Sequence, residues 1–345
     1  MAYTHGTASG AEDLLDKLIT FVTSDAGLVA AGQAWQIING ASAPWTFAPT
    51  TGDPGTPFDK DILLKGTGLG GQDEIYVGVS PVYRTDLDSL LLRVRGFAGL
   101  VAGNDTIYSH INNGPWKRLP LSAGTMEYWF VASGRRIAGV VKIGTVYEAF
   151  YLGMFLPYAT PATYPYPMMI GAASGIDIRF SDLGSQYSLF WDPRRSAAST
   201  SSNLESALTV RHQNGMWTIY RNDLSGYPNV FPYRSPATPR SLGNGRYPDA
   251  SPGQDPEGEG GLRLRDNFTS FQKPAFGGAY LITPLTLASN EETMPGVFGV
   301  LDGFGHVGGF AQGAENIVDV NGSHWLVHPN AYRSGTLDYC AMRLE

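Results

Sequence analysis

The chain has 345 residues, of which 43 are glycine and 23 are proline, and only 16% are charged. This composition is typical of a loop-rich β protein and argues against a helical or disordered chain. The net charge of −7 argues against nucleic acid as the main partner. The single cysteine, Cys340, excludes an intrachain disulfide. No apolar run is long enough to span a membrane, and no apolar leader follows Met1, so we expect synthesis in a cytoplasm without a secretion signal.

The first 40 residues contain the clearest helical pattern in the chain. Residues 1–9 are small and polar and predict a loose arm. From Ser9 onward, apolar residues recur at helical spacing and predict an amphipathic helix over 10–23, with Ser9 and Glu12 as a capping box. We expect its apolar stripe to cover the protein's own core, and docking on a neighbouring subunit is the alternative. Residues 28–39 predict a strand.

A glycine-rich segment follows a proline-rich loop at 40–58. Residues 66–71 match G-x-G-x-x-G, but a dinucleotide site needs a helix directly afterwards, so that its N-terminus can hold the pyrophosphate. Residues 74–79 instead have the pattern of a strand. We therefore expect a bent turn between two strands, and another strand over 90–97.

Residues 126–171 form the stretch around which the chain is organised. Two runs of aromatic and β-branched residues flank Ser133-Gly134 and predict a hairpin in which Gly134 supplies a positive φ. The second run, 135–156, is too long for one ordinary strand, and its glycines at 139, 144 and 153 predict bulges, bends or close backbone approach. Prolines from Pro157 onward are expected to end strand pairing. Arg135-Arg136 predicts a solvated turn or an ion pair to another strand.

The second half of the chain alternates between strands and proline-rich segments. Asn214-Gly215 and Asn321-Gly322 predict two further hairpins. Residues 193–206 have the composition of a linker. Residues 223–260 predict an extended arm that packs on another subunit, and a solvated linker is the alternative.

The patterns together predict a mainly β fold, with β-sandwich or barrel-like modules, one N-terminal amphipathic helix and long Pro/Gly-rich loops. The predicted segments are an N-terminal helix and loop over 1–58, a central β domain over 59–192, a linker, hairpin and Pro-rich arm over 193–260, and a C-terminal β domain over 261–345.

Several residues have types that can support catalysis or metal binding. His324 and His328 lie four apart in a predicted strand, which separates them by about 13 Å, too far for one metal ion. No G-x-S-x-G elbow is present, and Cys340 has the surroundings of a core residue. No spacing selects a glycosidase pair among the carboxylates, for example Glu127, Glu148, Asp177 and Asp182. We therefore expect no enzyme activity, no cofactor and no metal site.

Several stretches together resemble uncharacterised structural proteins of tailed bacteriophages. They are residues 13–18 leading to Trp35, residues 64–78, the blocks 128–137 and 147–153, the Tyr/Pro segment 157–167, and the ending from 301 to Tyr339. The resemblance implies a virion component of the tail, tail tip or baseplate, and it supplies no catalytic residue. It implies other virion proteins as partners. The composition, with few charges and many Gly, Tyr and Trp, suits a symmetric homo-oligomer. The net charge and the lack of a long apolar run argue against nucleic acid and membrane as partners.

The aromatic residues of the Tyr/Pro segment and of the arm need a surface on which to lie. Packing on a neighbouring strand or subunit is the first interpretation, and stacking on host glycans is the alternative. The interface candidates are Tyr158, Tyr164, Tyr166, Tyr227, Phe231, Tyr233 and Tyr247. A carbohydrate-binding or depolymerising receptor-binding protein and a head decoration protein are the alternative functions.

Overall fold

The computed structural model describes residues 1–51, 61–68, 73–172, 208–220, 229–231, 282–289, 296–307, 313–329 and 339–345. Within these residues the protein is mainly β, with one long helix and three sheets that are antiparallel apart from one short parallel pair. In chain order the elements are β1 (Ala2–Ala8), α1 (Ala11–Ser24), α2 (Ala26–Ala30), β2 (Gln36–Ile37), β3 (Ala48–Thr50), β4 (Ile62–Gly66), β5 (Ile75–Arg84), β6 (Ser89–Phe97), β7 (Lys117–Leu121), β8 (Met126–Ser133), β9 (Arg136–Ile143), β10 (Val146–Met154), β11 (Leu156–Pro157), β12 (Met168–Gly171), β13 (Leu208–Arg211), β14 (Trp217–Tyr220), β15 (Asn229–Phe231), β16 (Thr283–Ser289), β17 (Gly296–His306), β18 (Ile317–Val320), β19 (Ser323–Pro329) and β20 (Tyr339–Arg343).

The three sheets divide the strands as follows. The central sheet has the order β1-β8-β9-β10-β12-β13-β14. The N-terminal sheet has the order β2-β4-β5-β6-β7, with β3 beside β5. The C-terminal sheet has the order β15-β16-β17-β20-β19-β18, with β11 beside β17. The central sheet takes strands from three of the four segments expected from the sequence.

The central sheet is covered on both faces. One face packs Phe130, Phe150 and neighbouring residues against α1 and the N-terminal sheet in a single apolar core. The other face packs Trp129 and Tyr151 in a second core with residues of the C-terminal sheet such as Phe304. Strands with two covered faces have apolar residues at consecutive positions rather than at alternate ones. The long apolar runs of 126–156 therefore follow from the layering.

The predicted N-terminal helix is confirmed as α1, and its apolar stripe lies in the protein's own core. The predicted capping box is wrong, because Gly10 is the N-cap and makes no side-chain cap. Instead, the backbone N–H and hydroxyl of Ser9 donate to the Asp13 carboxylate at 2.7 and 3.2 Å. The predicted loose arm over 1–9 is also wrong, because β1 pairs with β8 at seven consecutive positions.

Two other early predictions need correction. The strand expected over 28–39 is reduced to the two residues of β2, after the short helix α2. The loop expected over 40–58 contains β3, which runs parallel to β5, and residues 52–60 lie outside the described residues. The strand–turn–strand arrangement around the glycine-rich segment is confirmed, since β4 pairs antiparallel with β5. The strand expected over 90–97 is confirmed as β6.

The hairpin at Ser133-Gly134 is confirmed, but the reason given for its glycine is wrong. Gly134 is absent from the residues with positive φ. A Cβ at this position would overlap the carbonyl oxygen of Gly68, so close backbone contact requires the glycine. The long run that follows is a second hairpin, β9–β10, whose turn contains Gly144 at φ +61°. Close approach is confirmed at Gly139, where a Cβ would lie 2.7 Å from Phe130 Cδ1.

The later hairpins at Asn214-Gly215 and Asn321-Gly322 are confirmed as β13–β14 and β18–β19. The expectation that pairing stops at Pro157 is wrong, because Pro157 is the partner of Gly299 in the pair β11–β17. Residues 193–206 lie outside the described residues. Of the arm expected over 223–260, only 229–231 are described, and they pair with β16. Among the described residues, neither helix has the length and apolarity needed to cross a membrane.

Candidate functional site

A row of polar side chains crosses four strands at one end of the central sheet. The register places Thr7 of β1 opposite Glu127 of β8, Glu127 opposite Lys142 of β9, and Lys142 opposite Tyr147 of β10. Directly opposed residues on antiparallel strands lie on the same face with Cβ atoms about 4.5–5.5 Å apart. The pairing therefore brings a carboxylate, an ammonium and a phenol together from residues that are up to 20 positions apart in the sequence.

Two residues from outside this row complete a network that we call the Lys142 cluster, which consists of His5, Glu127, Lys142, Tyr147 and Glu315. The Lys142 ammonium lies 3.2 Å from Glu127 Oε2 and also forms an ion pair with Glu315. The Tyr147 hydroxyl donates to the Glu315 carboxylate. His5 Nε2 lies 2.9 Å from Glu127 Oε1. Because Glu315 precedes β18, the cluster joins the central and C-terminal sheets.

The electrostatics of the cluster move the pKa values of Lys142, Tyr147 and Glu315 further from neutrality. The hydrogen bond from Lys142 to Glu315 raises the pKa of the lysine. Burial, together with the bond to Glu315, raises the pKa of Tyr147 to about 12. Burial opposes ionisation of Glu315, but the hydrogen bonds from Lys142 and Tyr147 outweigh it and lower the pKa of that carboxyl. A general acid or base works best with a pKa near the operating pH. This arrangement is instead suited to an ion-paired strand contact.

A second charged contact lies at the opposite end of the same face. Arg136 is fully buried, and its Nε donates to Asp302 Oδ2 of β17 at 2.9 Å. Arg343 of β20 donates to the other oxygen of Asp302 at 3.2 Å. The sequence predicted an ion pair to another strand as one outcome for Arg135-Arg136, and Arg136 confirms it. Arg135 instead pairs at 3.0 Å with Asp73, which lies in the turn between β4 and β5.

Apolar rows separate the two charged contacts. Trp129, Val140 and Ala149 form one row, and Val131, Ala138 and Tyr151 form the next. All six lie in the core shared with the C-terminal sheet. The Tyr151 hydroxyl donates to the carbonyl oxygen of Met154 at 2.6 Å, so its burial leaves no polar atom unpaired. The interface between the two sheets is thus an apolar centre with a charged contact at each end.

The structure places the seven interface candidates in different environments. Tyr158 is 65% exposed. Tyr166 is half-buried with φ +53°, and its ring lies 5.6 Å from the guanidinium carbon of Arg211. Tyr164 is only 3% exposed, so its prediction as an interface residue is corrected: the ring packs against Phe155 and its hydroxyl donates to the Arg211 carbonyl at 2.8 Å.

The remaining candidates belong to the arm. Phe231 lies in β15, where its backbone is paired with Thr286, and its side chain is outside the described part of the structure. The other three, which are Tyr227, Tyr233 and Tyr247, lie outside the described residues. Their role as contacts with another subunit stays a prediction.

The histidines and the cysteine that were considered for catalysis lie in different environments. His328 is buried beside Phe304, and burial lowers its pKa to about 4. His324 is exposed and lies 3.4 Å from a carboxylate oxygen of Glu345. Cys340 is buried, as expected for a core residue. Within the described ranges, no group of three or more His, Cys, Asp or Glu side chains is placed to hold a metal ion.

Sequence reasoning named Glu127 and Glu148 only as examples of carboxylates, and it missed Lys142, Glu315 and Asp302. Glu148 is buried within β10. Asp177 and Asp182 lie outside the described residues. A pattern that could have identified Lys142 is a charged residue inside an otherwise apolar run. Glu315 and Asp302 become visible only when the sheets are stacked, because more than 150 residues separate each from its partner on the central sheet.

Comparisons with known proteins supply no family. No family model matches the chain, and no curated protein matches its sequence.

Proposed function

We propose that the chain is a bacteriophage virion structural protein, a tail, tail-tip or baseplate component that self-assembles and contacts neighbouring virion proteins. The class of protein comes from the resemblance of the blocks 128–137, 147–153 and 157–167 to tailed-phage proteins. The observation that supports it is that charged side chains inside the protein form ion pairs between two sheets. In the described residues, Arg136, Asp302, Lys142 and Glu315 are committed to contacts that fasten two sheets together.

The layered architecture fits this role. A virion subunit keeps one shape under the forces that neighbouring subunits exert on it. A sheet that is packed on both faces resists bending, because close-packed interiors transmit strain. We propose that the stacked sheets act as sandwich-like modules and that the Pro/Gly-rich segments reach neighbouring subunits in a symmetric assembly. Tyr158, with 65% of its surface exposed, is the described aromatic residue best placed for such a contact.

A carbohydrate-binding or depolymerising receptor-binding protein is the second candidate. Tyr158 also supports it, because an exposed ring can stack on a sugar of the host surface. A head decoration protein would use the same kind of contact surface, and location within the particle separates it from a tail protein.

Mass spectrometry and immunogold labelling of gradient-purified particles test the proposal. We expect the chain in a fixed stoichiometry with the other virion proteins, with antibody bound at the tail, while a replication protein of the same phage is the control that should be missing. A chain that is missing from intact particles overturns the proposal. Labelling at the head selects the decoration protein.

An activity assay tests the enzyme alternative separately. Purified protein is incubated with envelope polysaccharide of the host, and released reducing ends are measured. We expect no release above that of heat-denatured protein. Release that is lost in Glu127→Gln but retained in the exposed helix variant Glu12→Gln would establish a depolymerase and refute a purely structural role.

A further inference from the structure

The strand β1 lies at an edge of the central sheet. Within the described part of the chain it has β8 on one side and no strand on the other. Its small residues at even positions face α1 and the N-terminal core, where Ala8 is buried. Its odd-numbered residues Tyr3, His5 and Thr7 are exposed on the opposite face. Among the described strands, none pairs with the row of backbone N–H and C=O groups along the outer side of this seven-residue strand.

This edge lacks the features that usually prevent strand addition. Natural edge strands are protected by lysine or other charged residues, by proline, by bulges or by short length. The sequence of β1, Ala-Tyr-Thr-His-Gly-Thr-Ala, contains no Lys, Arg, Asp, Glu or Pro. Its register with β8 runs without a break from Ala2 to Ala8. The strand is regular, has no Lys, Arg, Asp, Glu or Pro, and is long enough to accept another strand.

We propose that β1 pairs antiparallel with β1 of a second copy of this chain, around a two-fold axis at His5. A two-fold axis perpendicular to the sheet keeps each side chain on its own face, so partner residue numbers must sum to an even number. Only the register in which the two paired residue numbers sum to 10 pairs all seven residues, because His5 is the middle residue of the strand. This register places Tyr3 opposite the partner's Thr7, an aromatic and β-branched pair that stabilises sheets.

The self-pairing would convert two central sheets of seven strands into one continuous sheet of fourteen. It also brings the partner's Ala8 opposite Ala2 and its Gly6 opposite Thr4, so the face toward the helix meets only small side chains. This two-fold symmetry selects β1 of a second copy as the partner, and it would not select a strand of a different sequence. The inference rests on the proposed function in that it supplies the contact by which the virion subunit self-assembles.

Cysteine cross-linking tests the register. Cys340 is buried, so a cysteine introduced in β1 is the reactive one. Directly opposed residues have Cα atoms about 4.5–5.5 Å apart, within the reach of a disulfide. We expect His5→Cys alone, under mild oxidation of the full chain, to give mainly a covalent dimer of twice 37.2 kDa. Tyr3→Cys and Thr7→Cys should link to each other when mixed and not when oxidised alone, because like residues are then offset by about 13 Å.

The exposed helix variant Thr20→Cys is the matched control and should remain monomeric on a non-reducing gel. Near-UV circular dichroism checks that each variant is folded. The proposal is refuted if folded His5→Cys forms no dimer, or if Tyr3→Cys links to itself as readily as it links to Thr7→Cys. If the chain is present in particles but the cross-link does not form, only the pairing of β1 is rejected. If the cross-link forms but the chain is missing from particles, only the proposed function is rejected.

Discussion

Substitution of Asp302 by asparagine is the most informative perturbation of the contact between the central and C-terminal sheets. Asp302 accepts hydrogen bonds from the fully buried Arg136 and from Arg343. The side chain of Asp302 is 20% exposed, whereas that of Arg136 has no exposed surface. Asp302→Asn preserves the shape but leaves a buried guanidinium without its counter-charge.

The expected cost follows from the burial of Arg136. Removing one partner of a buried ion pair costs about 3–5 kcal/mol, and asparagine retains one acceptor, so we expect about 3 kcal/mol. With an unfolding entropy of about 2.1 cal/mol/K per residue, this corresponds to a fall of about 4 °C in the melting temperature of a cooperative chain of this length. The matched control is Glu74→Gln, which makes the same change in the more exposed pair with Lys65 and should cost about 0–1 kcal/mol.

The assay is thermal unfolding followed by near-UV circular dichroism, with urea midpoints as a second measure. Equal shifts for Asp302→Asn and Glu74→Gln would refute the reasoning, because burial of Arg136 would then make no difference. A double variant that also carries Arg136→Met should recover much of the loss, since the uncompensated charge is removed. Failure to recover would show that the cost arises from another change in packing.

Two further predictions concern a turn and the buried histidines. Gly134→Ala should lower the free energy of unfolding by about 2–3 kcal/mol, because the new Cβ would overlap Gly68. Gly144→Ala, at a positive φ in open space, should lower it by about 1 kcal/mol. The melting temperature should therefore fall further for Gly134→Ala than for Gly144→Ala. Burial lowers the pKa of both His212 and His328 to about 4 from an ordinary 6.5, so the unfolded chain takes up protons first and stability falls as the pH decreases from 6.5 to 4. By pH 5 each of these two histidines should lower the free energy of unfolding by about 2 kcal/mol. Urea unfolding measured between pH 7 and pH 5 should show that His328→Gln removes about half of this pH dependence. An unchanged dependence of stability on pH would contradict the assignment.

The parts of the fold that could be predicted from the sequence depend on local rules. The Asn-Gly turns, the apolar periodicity of α1 and the strand pattern after the glycine-rich segment each involve residues close in the chain. Local rules were insufficient for β1, whose small polar residues suggested an arm. Three of its seven residues are exposed because only one face is covered. Its partner β8 lies more than 100 positions away in the sequence, so the local pattern does not indicate the pairing.

The charged contacts show the same limit. Lys142 and Arg136 stand out as charges within apolar strands, but their partners Glu315 and Asp302 come from the C-terminal sheet. Tyr164 is an interface candidate in the sequence because an aromatic residue between prolines needs a neighbouring strand or subunit to lie on. The surface is supplied by Phe155 and by the hairpin that contains Arg211. Stacking of distant strands therefore decides which polar and aromatic residues are used internally.

A cryo-EM map of the intact particle tests the central proposal most directly. We predict density for the three-sheet fold in repeated copies around the symmetry axis of the tail, tail tip or baseplate, with each copy in contact with a neighbouring virion protein. A fully assigned map in which no density accommodates this chain would contradict the account.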